Sequence, residues 1–373
     1  MPMRKWWPLL LAASVILVIA LLVWAGRAGT RPTGKIEVNI VPSKEEAAPE
    51  LPQEEVVKLA TERERRLVWY TSVPEETAQA FLKAFQSRYP TIETVLVRDS
   101  TFAITAKVRA ELQAESLNAD VLHVLDVGIF LDLRADRELL AYRSPEYAAF
   151  PAEYKDDGYW AAMRAVSICM AYNANRPPPG GPPTTWEDLL RPQWKGRVGL
   201  ENAQAGSQYA QYYVLRERYG TVFWERMARQ KPRFYNSSRL LLDALMAGDV
   251  DVAGEMSGYA VYECREEGNK QVQGVWPKDG VPITIAPVAI LRQAKHPNAA
   301  KLFLDFALSK EGQELCQRLG GAYSVRPDVP GLVGKPSFSE LHQLTPTRDW
   351  QDYLAMQPKL LQEFTNLFHP DTE

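Results

Sequence analysis

The chain has 373 residues, a formal net charge of −3, and 46% hydrophobic and 10% aromatic content. That length suits two domains of ordinary size, and that apolar content suits a globular body and not a disordered one. No lysine- or arginine-rich patch stands out, so nucleic acid is excluded as an expected partner.

Arg4 and Lys5 precede an apolar run from Trp6 to Ala25, with Val23-Trp24-Ala25 as a small-residue exit. Residues 1–25 therefore read as a signal peptide or a membrane anchor. The run is about 20 residues, roughly 30 Å as a helix, which also suffices to span a bilayer. Both readings stay open, because Arg27, Arg31 and Lys35 on the far side blur the charge asymmetry. No cysteine follows the run, which disfavours a lipid anchor. Either way the body is expected in the periplasm or at the outer face of the cytoplasmic membrane. Residues 26–65 are rich in Pro, Glu, Lys and Thr and read as a flexible tether with a reach of roughly 30 Å. A short helix is expected over Glu54 to Arg66.

The folded body starts at Leu67. LVWYTS is an apolar strand, and Pro74-Glu75-Glu76 opens a helix with Ala80, Phe81, Ala84 and Phe85 on one face. TIETVLV, Asp120–Leu125 and the helices Phe102–Glu115 and Gly128–Glu138 continue the alternation. Strand–helix alternation of this kind predicts a parallel sheet with helices on its faces. Ligands of such sheets sit beyond the carboxyl ends of the strands, which places Ser72 and Asp126 at a cleft edge. These elements, 66–170, form the first part of lobe 1. Trp160 to Tyr172 is apolar and extended.

PPPGGPPTTWEDLL reads as the crossing into lobe 2, over 171–281. There RVGLENA, RFYNSS and VDVAGEM are strand-like, the last ending at Ser257-Gly258-Tyr259, and helices open at Gly206-Ser207-Gln208 and Arg239. ITIAPVAIL then returns to lobe 1 over 282–328. His296-Pro297 starts a helix with proline in its first turn, where the missing N–H has no bond to lose. Ala299, Leu302, Phe303, Phe306 and Ala307 recur at helical spacing. Gly320-Gly321 stops a second short helix that opens at Ser309 or Lys310. Residues 329–373 read as a C-terminal arm packed on one lobe, with an amphipathic helix near Trp350 to Phe368.

Chemistry resides in the strand-to-helix turns. Ser72, Ser207, Gln208, Asn236, Ser237 and Ser238 stand where helix N–H groups are unpaired and partially positive, a setting for anions. Each residue also reads, by itself, as a plain helix cap. No GxSxG elbow, Walker A loop or HExxH occurs. His123, His296, His342 and His369 are scattered, and His123 reads as a buried hydrogen-bonded side chain. A hydrolytic pair of Asp120 and Asp126 is permitted by spacing alone, but the chain reads as a non-enzyme. Cys169, Cys264 and Cys316 form no CxxC motif. They read as buried thiols, with one disulfide and a leftover thiol as the alternative in an exported protein.

Four segments carry a resemblance: YTSVPEE, AYRSPEYAAFPAEYKDDGYW, TTWEDLLRPQWKGRVGLENAQAGS, and ITIAPVAIL through HPNAAKLFLDFALSKEGQ with GGAYSVRPDVP after it. Together, over roughly Arg66 to Phe368, they resemble the iron(III)-type branch of the periplasmic solute-binding proteins of ABC importers. The resemblance implies an α/β, type II periplasmic-binding-protein fold: two lobes, joined by crossing hinge strands, that close on a ligand. It also implies an ABC permease and ATPase as partners, a monomer, and no resident cofactor. In the ferric relatives an adjacent Tyr-Tyr pair follows the strand that matches VDVAGEM, whereas here the place reads SGYAVYECREEG. Tyr259 and Tyr262 are the candidate metal ligands if Fe3+ is the cargo, since ferric iron favours anionic oxygen donors. Tyr212-Tyr213 is adjacent but lies within a helix and reads as packing. A small organic or phosphorylated anion and a polyamine-type cation are the other ligand classes. Asp126 and Glu255 would be the contacts to a cation. A ligand sensor coupled to a membrane signalling partner is the alternative function.

Overall fold

The computed structural model describes residues 51–369, apart from 157, 203–205, 333–334 and 345–349. The signal or anchor expected over 1–25 and the tether over 26–50 lie outside the described residues. Helix α1 spans Gln53–Lys58 and runs on as a wider turn over Leu59–Glu64. The tether expected up to residue 65 is corrected here. Val56 and Ala60 are buried, and the Glu64 carboxylate accepts the N–H groups of Asn298 and Ala299 at 3.2 and 2.8 Å. An acid at a helix start satisfies unpaired donors and complements the helix dipole, so this segment is clipped to lobe 1.

Lobe 1 carries β1 (Arg66–Thr71), α2 (Glu75–Arg88), β2 (Glu93–Arg98), α3 (Thr101–Gln113), β3 (Val121–His123), α4 (Val127–Ala135) and β4 (Lys155–Asp156). β5 (Trp160–Asn173) follows, then the lobe 2 elements β6 (Val198–Glu201), α5 (Gly206–Arg229), β7 (Arg233–Tyr235), α6 (Ser238–Ala247), β8 (Val252–Ser257), α7 (Gly258–Glu266) and β9 (Val272–Val275). The chain returns through β10 (Ile283–Ile290), α8 (Pro297–Leu308) and α9 (Lys310–Gly320). It ends in α10 (Phe338–Leu344), α11 (Trp350–Ala355) and α12 (Gln357–Phe368).

The strands form one ladder in the order β2-β1-β3-β10-β5-β8-β6-β7. In lobe 1, β2, β1 and β3 are parallel; in lobe 2, β8, β6 and β7 are parallel. β5 serves both halves. Its residues 160–167 pair antiparallel with β10, and its residues 168–173 pair with β8 and β9. The change of lobe thus occurs inside a strand, ahead of the proline-glycine stretch. Both faces of β5 are covered, which is why its sequence is a continuous apolar run and not an alternation. Pro287 sits in β10 where the register with β5 shifts, a place where a missing N–H is tolerated.

The C-terminal arm, expected on one lobe, touches both. The Trp350 indole N–H donates to the Glu153 carbonyl of lobe 1 at 3.0 Å, and Leu354 lies over Gly128 so closely that a Cβ there would approach it to 2.8 Å. On lobe 2 the Tyr353 ring packs 4.7 Å from Tyr209, and Arg216 pairs with Glu363 at 2.6 Å. α11 by itself bridges the two, with Trp350 and Leu354 toward lobe 1 and Tyr353 toward lobe 2, and α12 continues along lobe 2. α12 buries Leu360 and Phe364, and the Phe364 ring lies 5.2 Å from that of Tyr212.

Candidate functional site

A cleft of about 380 Å³ opens at the carboxyl ends of the parallel strands. Lobe 1 contributes Pro74, Arg98 and Leu125; lobe 2 contributes Glu201, Ser207, Asn236, Ser237, Ser238, Ser257, Tyr259 and Glu263 among others. The volume is in the range of small-molecule sites. A second cavity of about 270 Å³ lies beside Tyr154 and Phe338 in lobe 1. It is the less suitable of the two, because its Arg326 is already paired with Glu146 and Asp328.

The expected site residues divide. Ser207, Asn236, Ser237, Ser238 and Tyr259 come together on the lobe 2 wall. Ser237 caps α6 by accepting the Leu240 N–H at 3.3 Å, and the Ser238 hydroxyl donates to the Glu201 carboxylate. Ser72, expected at the lobe 1 edge, is not among the residues that line the cleft. Its hydroxyl accepts the Leu125 N–H at 3.2 Å and knits the ends of β1 and β3. Asp126 caps α4 through the Gly128 N–H at 2.8 Å, and burial beside the C-terminal arm raises its pKa. Gln208 faces the lobe interior, donating to Gln211 at 2.8 Å, and Gln211 in turn donates to the Gly254 carbonyl.

Tyr259 and Tyr262 diverge although three residues apart on one helix. Tyr259 turns to the cleft, with the Arg164 guanidinium 5.3 Å from its ring centre. Burial pushes its phenol up to about 12, against the pull of Arg164. Tyr262 turns to lobe 1, against Gly321 and with the Lys335 ammonium 5.7 Å from its ring. The two phenols do not converge on one point.

Two groups were not singled out as site residues from the sequence. Glu201, at the end of β6, is buried, and burial raises its pKa despite the Ser238 hydroxyl. It adjoins Glu255 on β8, which is fully buried. Burial and then the charge of Glu201 drive the Glu255 pKa well above the ordinary carboxylate value, with the Ser207 hydroxyl opposing. Arg164 on β5 is the other. It is 5% exposed, and its Nε and Nη2 have no partner. A single arginine inside the run WAAMRAVSICM was the signal available.

The remaining polar groups are structural. His123 is buried, shares a 3.1 Å hydrogen bond with the Thr71 hydroxyl and stacks on Trp69. Asp120 accepts from the Val68 N–H at 2.8 Å and from the His296 N–H at 3.0 Å, which fixes the start of α8. Cys169, Cys264 and Cys316 are all buried and unpaired.

A family model described as bacterial extracellular solute-binding protein matches residues 125–336. An uncharacterized protein of Haemophilus influenzae is 27% identical over 311 residues, 79% of this chain and 87% of that one. The Fe(3+)-binding periplasmic protein of Serratia marcescens is 24% identical over 56% of this chain and 62% of its own length. Among solved structures, iron-bound HitA from Pseudomonas aeruginosa superposes with a TM-score of 0.70 at 22% identity, covering 80% of this chain and 99% of that chain. The periplasmic binding protein AfuA from Actinobacillus pleuropneumoniae, with fructose-6-phosphate bound, gives a TM-score of 0.70 at 22% identity, covering 81% and 98%. The two-lobed fold is therefore that of the type II periplasmic binding proteins.

Proposed function

This chain belongs to the bacterial extracellular solute-binding protein family, and we propose that it captures one small organic or phosphorylated anion between its lobes and delivers it to an ABC permease and ATPase. It acts outside the cytoplasmic membrane, held there by its N-terminal segment, as a monomer. The observation that carries this reading is the cleft lining, which draws on strand ends from both lobes. A solute that touches both walls favours the closed form, because only that form makes all of its contacts. The N-terminus of α6, with Asn236, Ser237 and Ser238, suits an anionic group.

Ferric iron is the second reading, favoured by relatives named as Fe(3+)-binding or ferric iron-binding. The divergence of Tyr259 and Tyr262 ranks it below the anion. Native mass spectrometry of the purified chain identifies the carried solute, and calorimetry then measures variants. Ser238→Ala and Tyr259→Phe are each expected to weaken binding by about tenfold. Unchanged affinity in both would remove the lobe 2 assignment. A tyrosinate charge-transfer band in iron-loaded protein would establish the ferric reading in its place.

A further inference from the structure

The lobe 1 part of the cleft lining is Pro74, Arg98 and Leu125, and of these Arg98 alone has a polar side chain. Pro74 has no N–H, and its carbonyl accepts the Ala78 N–H at 2.9 Å at the start of α2. The Leu125 N–H is taken by the Ser72 hydroxyl at 3.2 Å. Arg98 ends β2, and its Nε–H donates to the Val73 carbonyl at 3.1 Å. That bond ties the guanidinium to the end of β1, and among the described residues Arg98 makes no ion pair. With Nε anchored, the donors that remain are the two Nη groups, whose parallel N–H bonds match two oxygens of a carboxylate or phosphate. The other arginine of the lining, Arg239, is held by Glu267 at 2.8 Å and Asp243 at 3.3 Å. The lining carboxyls leave Arg98 without a counter-charge: Glu267 serves Arg239, Glu201 takes the Ser238 hydroxyl, and burial pushes Glu263 up to about 7.

We propose that Arg98 is the lobe 1 contact of the capture site, binding the anionic group of the solute through Nη1 and Nη2 and making lobe closure depend on that charge. The inference rests on the reading of this cleft as an anion-capture site and names the residue that carries it across to lobe 1. Arg98 is exposed, so water weakens its attraction while the cleft is open. Closure expels water and lowers the local dielectric, and the same contact strengthens as the lobes approach. A contact that is stronger in the closed form shifts the population toward it. Contacts to α6 by themselves hold the solute equally in both forms and give no such bias.

The test is calorimetry and amide hydrogen exchange on the full chain with fructose 6-phosphate, glycerol 3-phosphate, citrate and inorganic phosphate, and with fructose and glycerol as uncharged counterparts. At least one anion is expected to bind, about tenfold or more tightly than either uncharged compound. Arg98→Gln is expected to weaken that anion by about tenfold or more, and Arg98→Lys to recover part, because it keeps the charge and loses the fork. In the unaltered protein the bound anion should slow exchange on both walls, at residues 98–102 and 236–240. In Arg98→Gln the slowing should be confined to 236–240. Thermal melting of each variant separates lost binding from lost fold. An Arg98→Gln protein that binds as tightly as the unaltered one, or that still protects both walls, overturns the inference and leaves anion capture intact. Equally tight binding of fructose or glycerol overturns the role of charge. Silence from all six compounds overturns the anion-capture reading along with it.

Discussion

Glu263 shows how much one side chain in the cleft depends on its surroundings. It faces Arg164 from β5, Glu76 from α2 and its own neighbour Glu267. Burial dominates and pushes its carboxyl from 4.5 up to about 7, with Arg164 opposing. A carboxyl raised in the folded state gives stability that is complete below its unfolded value and is lost as pH rises through the folded one. Glu255 and Glu201 shift in the same direction. The ligand-free protein should therefore melt at lower temperature at about pH 8 than at about pH 5, and Glu263→Gln should flatten part of that slope. Calorimetric melting at the two pH values checks it; an unaltered slope in the variant would show that Glu263 is not the group responsible. Much of this scale was hidden in the sequence. Residues three apart on a helix are neighbours, yet Tyr259 and Tyr262 part because one meets Arg164 and the other Gly321 and Lys335. Neither Arg164 nor Lys335 is near them in sequence.

The elements themselves were far more legible. The strand from Ile283, the proline-started helix α8 and the glycine stop at Gly321, whose φ is 61°, follow from local rules. The two ends of the body resisted, for a shared reason. α1 and the C-terminal arm gain their order from partners distant in the chain: Glu64 from α8, and Tyr353 from α5. Tyr353 is 6% exposed, its ring is 5.1 Å from Tyr213, and its carbonyl accepts the Tyr209 hydroxyl. Tyr353→Ala should cost about 3 kcal/mol or more of stability, as expected for emptying a packed aromatic site. Urea unfolding measures it. A loss no greater than that of an exposed substitution would show that the arm is only laid against the lobes.

At the scale of the molecule, the parallel triplets β2-β1-β3 and β8-β6-β7 are built alike and meet along β5. β10 completes lobe 1 by lying between β3 and β5, with Val288 beside His123 and Ala161. A chain ended at Pro282 keeps every other strand of lobe 1 but leaves β3 and β5 without their shared neighbour. Such a truncation should lose cooperative unfolding and bind a hydrophobic dye, and a sharp melt would refute this. The same threading bears on export. During passage through the membrane the chain emerges in order, and the strand that seals lobe 1 emerges only after all of lobe 2. Non-local pairing of this kind delays folding. The late arrival of β10 thus holds back the closing of lobe 1 until the whole of lobe 2 is already outside.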